Sequence, residues 1–302
     1  MKLSNTDIQR IISLVITNQD HRAVILALIN SEFLEYVIQF FIKVGEAKLR
    51  NQYIDGDWYK REFITNEKLS TDDIIINAGL NKKTVQNIYK TTNRQLVLEI
   101  APRYYDELLE VIQDLISQEE GFDIILTVKF RAMSVDLTVN ESLVVINTLA
   151  VKRAQLRGGA WSTLGKQIEK PLMQTLCALF GVPKENYRLI GKTSDGREVD
   201  FYLVNGEHEY PCEVKLMGKG NPEVADAIFA RQSAVFIADK LSDLNKSQAE
   251  SLGIKWVELS APHGYQKFYE VLQSLNIPSK PFHGDLDTTL SAIFSDILTQ
   301  MD

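Results

Sequence analysis

Residues 198–215 read EVDFYLVNGEHEYPCEVK, and this stretch decides the fold of the second half of the chain. It contains two runs rich in aromatic and β-branched residues, which favour extended strands. Between them stands Asn205-Gly206, a pair typical of a tight hairpin turn. The stretch therefore predicts two antiparallel strands, at residues 198–204 and 210–216.

The polar residues of this hairpin form a candidate catalytic site. Side chains alternate along a strand, so Glu213 and Lys215 share one face, and Asp200 projects from the same side if the apolar faces align. Two carboxylates held close together either share a proton or bind a cation such as Mg²⁺. A bound metal activates water, and a neighbouring lysine orients that water or contacts the phosphate. The alternative is an ordinary hairpin with a solvated polar face.

Further elements surround the hairpin and define the fold class. Helical and strand-like runs alternate in the second half, a pattern typical of an α/β sheet with helices on both faces. The helices are predicted at 161–180, 221–231, 242–253 and 264–276, and the other strands at 187–190, 234–238 and 255–259. Gly158-Gly159 punctuates the chain before these elements, so we expect a domain boundary between 120 and 158.

The first half of the chain predicts an all-helical domain. Helices are expected at 6–50 and 95–118, with a connection at 51–68. Residues 71–90 favour a helix-turn-helix, because Gly79 stands where the turn needs a left-handed backbone. Its apolar positions are Ile74, Ala78, Leu80, Val85 and Ile88, and Ile75 departs from the motif's small residue. The alternative is a plain helical hairpin with a solvated second helix.

Composition bounds the functional classes. The 302 residues carry a formal net charge of −7, which argues against a nonspecific nucleic-acid binder. Screening acts over about 8 Å, so a locally basic face on an acidic protein remains compatible with specific DNA docking. The two cysteines predict buried thiols in a reducing cytoplasm, and no signal peptide or membrane-spanning run of about 18 apolar residues is expected.

The pattern of Asp200 followed by Glu213-Val214-Lys215 resembles the PD-(D/E)xK nuclease superfamily, with Val199 where the pattern has proline. Three stretches are similar to type II restriction endonucleases of the CfrBI-like family. They are GGAWSTLGKQIEKPLMQTLCALFGVP (158–183), GREVDFYLV (196–204) and YPCEVKLMGKGNPEVADAIFARQ (210–232). The resemblance implies a restriction-endonuclease-like mixed sheet flanked by helices. It also implies Mg²⁺-dependent double-strand cleavage of short palindromic DNA of the CCWWGG kind.

The resemblance assigns roles to particular residues. Asp200 and Glu213 would be metal ligands and Lys215 the catalytic lysine, and nucleases of this architecture often add a helix carboxylate, here Glu169. It further implies a homodimer or higher homo-oligomer, one active site for each DNA strand, and a cognate methyltransferase protecting the host. We therefore predict a helical domain at 1–140 and a nuclease domain at 141–302.

Base reading would fall to exposed polar side chains, each of which is individually an ordinary surface residue as well. Arginine and lysine suit guanine edges, and glutamine and asparagine suit adenine. The candidates are Lys219, Asn221, Arg231 and Gln232 after the catalytic strand, and Lys82, Lys83 and Gln86 in the second helix of the 71–90 motif.

Two other functions are compatible with the sequence. One is a DNA-binding helix-turn-helix regulator that uses the nuclease-like domain only as a scaffold. The other is a repair or structure-specific nuclease with the same chemistry but no sequence preference. Retention of Asp200, Glu213 and Lys215 together favours an active nuclease over a scaffold.

Overall fold

The computed structural model describes residues 2–118, 125–130, 133–189, 191–192, 198–199, 201–216 and 233–299. The chain forms two compact units. Unit 1 contains Met1–Ala27 and Trp161–Asp302, and unit 2 contains Leu28–Ala160. This division assigns the first 27 residues to the unit of the C-terminal sheet. The functional division at 1–140 and 141–302 stays a prediction.

The N-terminal half is mainly helical, as the sequence predicts, but it also contains a β-hairpin at residues 126–137, so the expectation of an all-helical domain is wrong in that segment. A break at residues 17–21, where Asn18 has a φ of +58°, separates the first two helices. The elements are α1 (Asn5–Ile16), α2 (Arg22–Leu49), α3 (Gly56–Tyr59), a π-helical turn (Lys60–Ile64), α4 (Thr71–Asn77), α5 (Lys82–Tyr89), α6 (Arg94–Gln118), a hairpin of β1 (Leu126–Phe130) and β2 (Met133–Leu137), and α7 (Val139–Leu179).

The expectation of a plain connection at 51–68 is wrong. This segment contains α3 and the π-helical turn, and it supplies part of the core of unit 2. Asp55 caps α3 by accepting a 2.9 Å hydrogen bond from the N–H of Trp58. Trp58, Tyr59 and Phe63 are almost fully buried, and the Tyr59 ring lies 4.6 Å from that of Tyr105. Helical turns this short show no sustained periodicity, so the sequence pattern does not reveal them.

The expectation that Gly158-Gly159 interrupts the chain is also wrong. α7 continues through both glycines from Val139 to Leu179. A glycine in a helix interior costs about 1 kcal/mol relative to alanine, which a long helix can absorb. In unit 1 the predicted apolar stripe of this helix is confirmed, because Leu164, Ile168, Leu172 and Leu176 are each 0% exposed.

The remaining elements belong to unit 1 and form a mixed sheet, a separate two-stranded sheet (β4 with β5 below) and several helices. They are β3 (Tyr187–Arg188), β4 (Gly191–Lys192), β5 (Glu198–Val199), β6 (Phe201–Asn205), β7 (His208–Lys215), β8 (Val235–Ala238), α8 (Asp243–Ser251), β9 (Lys255–Glu258), α9 (Gln266–Ser274) and α10 (Leu286–Thr299), with a 3₁₀ turn at Lys184–Asn186. The predicted helix at 221–231 lies outside the described residues. In the described part of the sheet the strand order is β3-β6-β7-β8-β9. The predicted mixed α/β architecture is confirmed.

The sheet changes from antiparallel to parallel pairing at β7. This strand pairs antiparallel with β6 and parallel with β8, which in turn pairs parallel with β9. All four residues of β8 are 0% exposed, as expected of a strand covered on both faces. The strand that carries Glu213 and Lys215 therefore lies in the middle of the sheet.

Helix α2 passes the length and composition test for a membrane span, which the sequence analysis did not expect. An 18-residue window within Arg22–Leu49 has a mean hydropathy of 1.5, and 17% of that window is buried. Glu32 and Glu35 lie inside this helix, and a carboxylate near the middle of a bilayer is costly. The feature is weak evidence for a membrane, since helices of soluble proteins pass the same test.

Candidate active site

The candidate active site is built on the β6–β7 hairpin. Phe201 pairs with Cys212 and Asn205 with His208, so the two central turn residues are Gly206 and Glu207. The predicted turn at Asn205-Gly206 is therefore displaced by one residue. Gly206 has a φ of +60°, which suits the first central position of a type II′ turn. This register directs Phe201 and Cys212 to one face of the sheet.

Glu213 and Lys215 share the opposite face of β7. The Nζ atom of Lys215 lies 2.7 Å from Oε1 of Glu213. The side chain of Lys215 is only 15% exposed and that of Glu213 only 11%, because the central strand has neighbours on both sides. Partial burial weakens solvent screening, so this charge-assisted contact is stronger than an exposed pair. The predicted placement of a carboxylate and a lysine on one strand face is confirmed.

Cys212 lies on the other face of β7 from Glu213 and Lys215, and its side chain is buried. Burial raises the pKa of the Cys212 thiol to about 12, and it raises the pKa of Cys177 well above its ordinary value. Both thiols are free and buried, as predicted. A thiol with so high a pKa is a poor nucleophile, so neither cysteine is a candidate for the chemistry.

Asp200, the predicted first carboxylate, lies outside the described residues. The described pairing ends with Phe201 opposite Cys212, and Asp200 and Glu213 are the next residues in the chain beyond that pair. Four predicted DNA contacts also lie outside the described residues: Lys219, Asn221, Arg231 and Gln232.

Glu169 lies on α7 and is only 7% exposed. A Cβ atom added at Gly165 would lie 3.8 Å from Oε1 of Glu169, so the carboxylate extends back along its own helix. Glu169 is therefore buried and is not an ordinary solvated surface residue of the helix. Its predicted role at the metal site stays a prediction.

Carboxylate oxygens are the ligands that Mg²⁺ prefers, and Glu213 offers one from a rigid central strand. Within the described part of the chain, no group of three or more histidine, cysteine, aspartate or glutamate side chains is gathered closely enough to hold a metal. The donor chemistry of Glu213 fits Mg²⁺, and Asp200 is the carboxylate that precedes Phe201, whose strand partner Cys212 precedes Glu213.

Two buried polar residues, Asp239 and His21, lie 3.9 Å apart near the end of β7, and the sequence pattern does not predict either of them. Asp239 directly follows β8 and is 1% exposed, and His21, which precedes α2, is 2% exposed. A polar residue at the carboxyl end of a parallel strand is a recognisable signal, and it was available for Asp239. His21 carries no comparable signal, because it is far from the strand in the sequence.

In unit 2, α4 and α5 reproduce the predicted pair of short helices. Gly79 has a φ of +76°, and Asn81 caps α5 through hydrogen bonds from Lys83 N and Thr84 N. Ile74, Ala78 and Val85 are buried, but Ile88, predicted as a packing position, is 57% exposed. The helical hairpin is confirmed, while its function as a DNA-binding helix-turn-helix stays a prediction.

The polar residues of α5 differ in their local bonds. Lys82 forms an ion pair with Asp72 at 2.8 Å, and Nε2 of Gln86 donates to the carbonyl of Lys90 at 2.8 Å. Lys83 is exposed and, among the described residues, has no recorded side-chain bond. Of the three predicted DNA contacts on this helix, Lys82 and Gln86 would have to exchange a local partner to bind a phosphate.

The comparison with family models identifies the class of protein. The model described as CfrBI restriction endonuclease matches residues 5–246, which include unit 2 and the strands from β3 to β8. The protein is a restriction endonuclease, and thus a DNA-binding phosphodiester hydrolase. The chain belongs to the CfrBI restriction endonuclease family, which confirms the resemblance seen in the sequence. No curated protein and no solved structure matches the chain.

Proposed function

We propose that this restriction endonuclease makes Mg²⁺-dependent, sequence-specific double-strand cuts in a short palindromic DNA site of the CCWWGG kind, as a type II enzyme. One observation carries the proposal: on one face of the central strand, the Nζ atom of Lys215 lies 2.7 Å from Oε1 of Glu213. A buried charged pair is costly to maintain for stability alone, so its retention in the middle of a sheet favours a chemical role.

We assign the metal to the carboxylates of Asp200 and Glu213, with Glu169 as a third contributor. The order of residues around the described hairpin supports Asp200, since it precedes Phe201 just as Glu213 follows its partner Cys212. This arrangement matches the PD-(D/E)xK pattern, with Val199 in place of proline. When bound, Mg²⁺ supplies a Lewis acid that favours ionisation of water and offsets charge on the scissile phosphate.

Lys215 supplies the remaining positive charge of the proposed site. Its ammonium group donates hydrogen bonds and accepts none, so it orients an attacking water or contacts a nonbridging phosphate oxygen. The contact with Glu213 holds Nζ near the metal carboxylates before DNA arrives. A charge positioned in advance requires no reorganisation during the reaction, which is the basis of electrostatic stabilisation.

The proposed assembly is a homodimer or higher homo-oligomer in the cytoplasm, with a cognate methyltransferase in the same system. A palindrome has two-fold symmetry, so two copies of one site would cut the two strands equivalently. The glutamates within α2 support a soluble protein over a membrane-bound one. The predicted contacts of Lys219, Asn221, Arg231, Gln232, Lys82, Lys83 and Gln86 remain proposals for DNA binding.

Digestion of unmethylated phage DNA tests this function. The purified protein is incubated with Mg²⁺, or with EDTA and no added metal, and the fragments are separated on a gel. We expect discrete Mg²⁺-dependent fragments, and sequencing their ends would reveal the recognition site and the stagger. A smear, or cutting confined to branched DNA, would favour a structure-specific nuclease.

A helix-turn-helix regulator is the second candidate, and the left-handed Gly79 between two short helices is the observation that favours it. A regulator would shift a specific duplex on a gel while leaving it intact in Mg²⁺. The same outcome would contradict the proposed cutting activity of this protein.

A further inference from the structure

Arg188 and Glu209 form an exposed ion pair near the proposed active site, and the proposed reaction uses neither residue. The Nη2 atom of Arg188 lies 2.7 Å from Oε1 of Glu209, and the side chain of Arg188 is 50% exposed and that of Glu209 43%. The guanidinium also lies over the ring of Tyr202, with its Cζ atom 5.2 Å from the ring centroid. An exposed ion pair contributes little to folding, so stability alone is a weak reason for this arrangement.

The register of the sheet places Arg188 on the face that carries Glu213 and Lys215. Arg188 pairs with Tyr202, and Tyr202 pairs with Pro211, so these three side chains project from one side of the sheet. Side chains alternate along β7, so Pro211 shares that side with Glu213 and Lys215. Arg188 therefore belongs to the same surface as the proposed active site.

Strand β3, which carries Arg188, is only two residues long, but its orientation is fixed by its neighbours. The Tyr187 ring stacks on that of Phe201 with centroids 5.5 Å apart. The Nδ2 atom of Asn186 donates a 2.9 Å hydrogen bond to the carbonyl of Val204. Tyr187 and Arg188 are adjacent in the strand, so the contacts that anchor Tyr187 on one face direct Arg188 to the other.

A duplex bound at the proposed active site would present phosphates near Arg188. Two strand spacings across the sheet and two residues along β7 separate Arg188 from Glu213, which amounts to about 12 Å between their Cα atoms. A duplex carries one phosphate for about every 1.7 Å of its axis, so several phosphates fall within such a distance of the scissile one. Side-chain exposure rises from 11% at Glu213 to 50% at Arg188, so this face opens to solvent toward β3.

A guanidinium suits a phosphate at this place. It presents five N–H donors in a planar fork, and one carboxylate accepts a bidentate pair at most, so Arg188 has the capacity for a phosphate as well. Stacking on Tyr202 orients the fork before DNA arrives. We propose that Arg188 binds a nonscissile phosphate of the DNA backbone and that Glu209 competes with this phosphate for the guanidinium; this inference rests on the proposed active site at Glu213 and Lys215.

The two residues of the pair should affect DNA binding in opposite directions. Arg188→Ala should weaken the affinity roughly tenfold, the lower end for a hydrogen bond to a charged group. It should also reduce the slope of log affinity against log salt by about one. Glu209→Gln should raise the affinity roughly two- to fivefold, because the phosphate no longer has to displace an exposed ion pair. Arg188→Lys should keep the wild-type slope but recover only part of the affinity, since lysine lacks the planar fork.

The probe is a phage-DNA fragment that the wild-type protein shifts on a gel in EDTA, so that binding is measured separately from cutting. The same two substitutions in another exposed arginine–glutamate pair control for the change in net charge. In unit 2, Arg50 and Glu46 form such a pair at 4.0 Å. Arg50→Ala and Glu46→Gln should each change the affinity less than about twofold, as expected of charges that contact no phosphate.

Two further measurements separate binding from catalysis and from stability. With the DNA saturated by protein and Mg²⁺ added, Arg188→Ala should cut at nearly the wild-type single-turnover rate. Loss of a contact that the ground state and transition state share weakens binding without slowing the bound complex. The melting temperatures of Arg188→Ala and Glu209→Gln should stay close to that of the wild-type protein, because the pair is exposed.

Three results would overturn the inference. They are a wild-type affinity and salt slope in Arg188→Ala, equal effects in the control pair, and a joint loss of affinity and melting temperature in both Arg188→Ala and Glu209→Gln. If the wild-type protein shifts DNA but never cuts it, the proposed function is wrong, while opposite effects of the two variants would still support the phosphate contact. If it shifts no DNA at all, both proposals are wrong.

Discussion

Lys215 and Glu213 lie two residues apart on the central strand, and the Nζ atom of Lys215 is 2.7 Å from Oε1 of Glu213. Each of the two side chains is at most 15% exposed. A similar pair joins Lys246 to Glu258 at 2.7 Å elsewhere in the same unit, where the lysine is 27% exposed. The two pairs have the same chemistry, but Glu213 and Lys215 both lie on the central strand, whereas Lys246 lies on α8 and Glu258 at the end of β9. They therefore provide a test and a matched control.

Lys215→Met should abolish DNA cutting while preserving DNA binding. The substitution keeps the aliphatic stem but removes the ammonium group that orients the nucleophile or stabilises the phosphate. Loss of one such electrostatic contact lowers rates by about 10²- to 10³-fold. Single-turnover cleavage and a gel shift of the same duplex measure the two effects. Lys246→Met should cut at the wild-type rate, and equal losses in the two variants would contradict the site.

Glu213→Gln should weaken Mg²⁺ binding and so raise the Mg²⁺ concentration that cutting requires. The amide keeps the size of the side chain and removes the negative charge that a hard cation requires. We expect the half-saturating Mg²⁺ concentration to rise by at least about tenfold, since even outer-shell partners of a metal contribute that much. EDTA should abolish wild-type cutting, and added Mg²⁺ should restore it. Asp200→Ala should also abolish cutting, and an unchanged metal dependence in both variants would exclude these ligands.

Glu169→Gln tests the third carboxylate. If Glu169 contributes to the metal site, the substitution should lower cleavage and raise the Mg²⁺ requirement in the same direction as Glu213→Gln. Its effect should be smaller, because Asp200 and Glu213 remain. Isothermal titration with Mg²⁺ alone would compare the variants without DNA. Glu185→Gln, in the 3₁₀ turn of the same unit, is the control and should bind Mg²⁺ like the wild-type protein.

The sequence predicts the shared strand face of Glu213 and Lys215 better than it predicts the elements around that strand. Strand alternation was enough to place Glu213 and Lys215 on one face, because the period of two is a property of the backbone itself. The displacement of the turn by one residue did not disturb this result. The proximity of His21 to Asp239, 3.9 Å between Nε2 and Oδ2, does not follow from the sequence pattern, since it arises from tertiary packing between segments that are distant in the chain.

The errors in the helical half have a similar origin. The Gly158-Gly159 pair predicts a break, but α7 continues through both glycines. At 51–68 the aromatic residues were visible, yet their burial depends on partners such as Phe40 and Tyr105 from other helices. Local propensity is a weak guide wherever tertiary contacts decide the backbone conformation.

Lys83→Ala should weaken DNA binding more than Lys82→Ala if α5 contacts the phosphate backbone. Both side chains are exposed, but Lys82 already forms an ion pair with Asp72, which a phosphate would have to displace. Removal of one phosphate contact should reduce the slope of log affinity against log salt by about one. Gel-shift affinities at several salt concentrations measure this slope. Identical slopes for the wild-type protein and Lys83→Ala would show that this helix does not bind DNA backbone.

Glu141 is a buried carboxylate that joins three segments of unit 2. Its Oε1 atom accepts hydrogen bonds from Lys48 and, at 2.8 Å, from Ile54 N, and its Oε2 atom accepts one from Thr138 N at 2.8 Å. Burial opposes ionisation of this side chain, but the bonds from Lys48 and the two N–H groups outweigh it and lower the pKa of Glu141 below 4.5. The folded state therefore favours the charged form.

Glu141→Gln should destabilise unit 2 at pH 7 by about 1–3 kcal/mol, the usual cost of disturbing buried hydrogen bonds to a charged group. Because folding lowers the pKa, the stabilisation is complete above 4.5 and is lost as the pH falls through the lower folded value. The wild-type and variant stabilities should therefore converge in acid. Urea unfolding at pH 7 and pH 3.5 compares them, with Glu67→Gln as an exposed control.

The signal for this experiment comes from Trp58, which is 2% exposed in the same unit. Replacing the other two tryptophans, through Trp161→Phe and Trp256→Phe, would restrict the fluorescence to unit 2. The two units can unfold separately, so a probe confined to one of them is needed to define its free energy. A difference between wild-type and Glu141→Gln that stays constant from pH 7 to pH 3.5 would show that ionisation of Glu141 does not stabilise the fold.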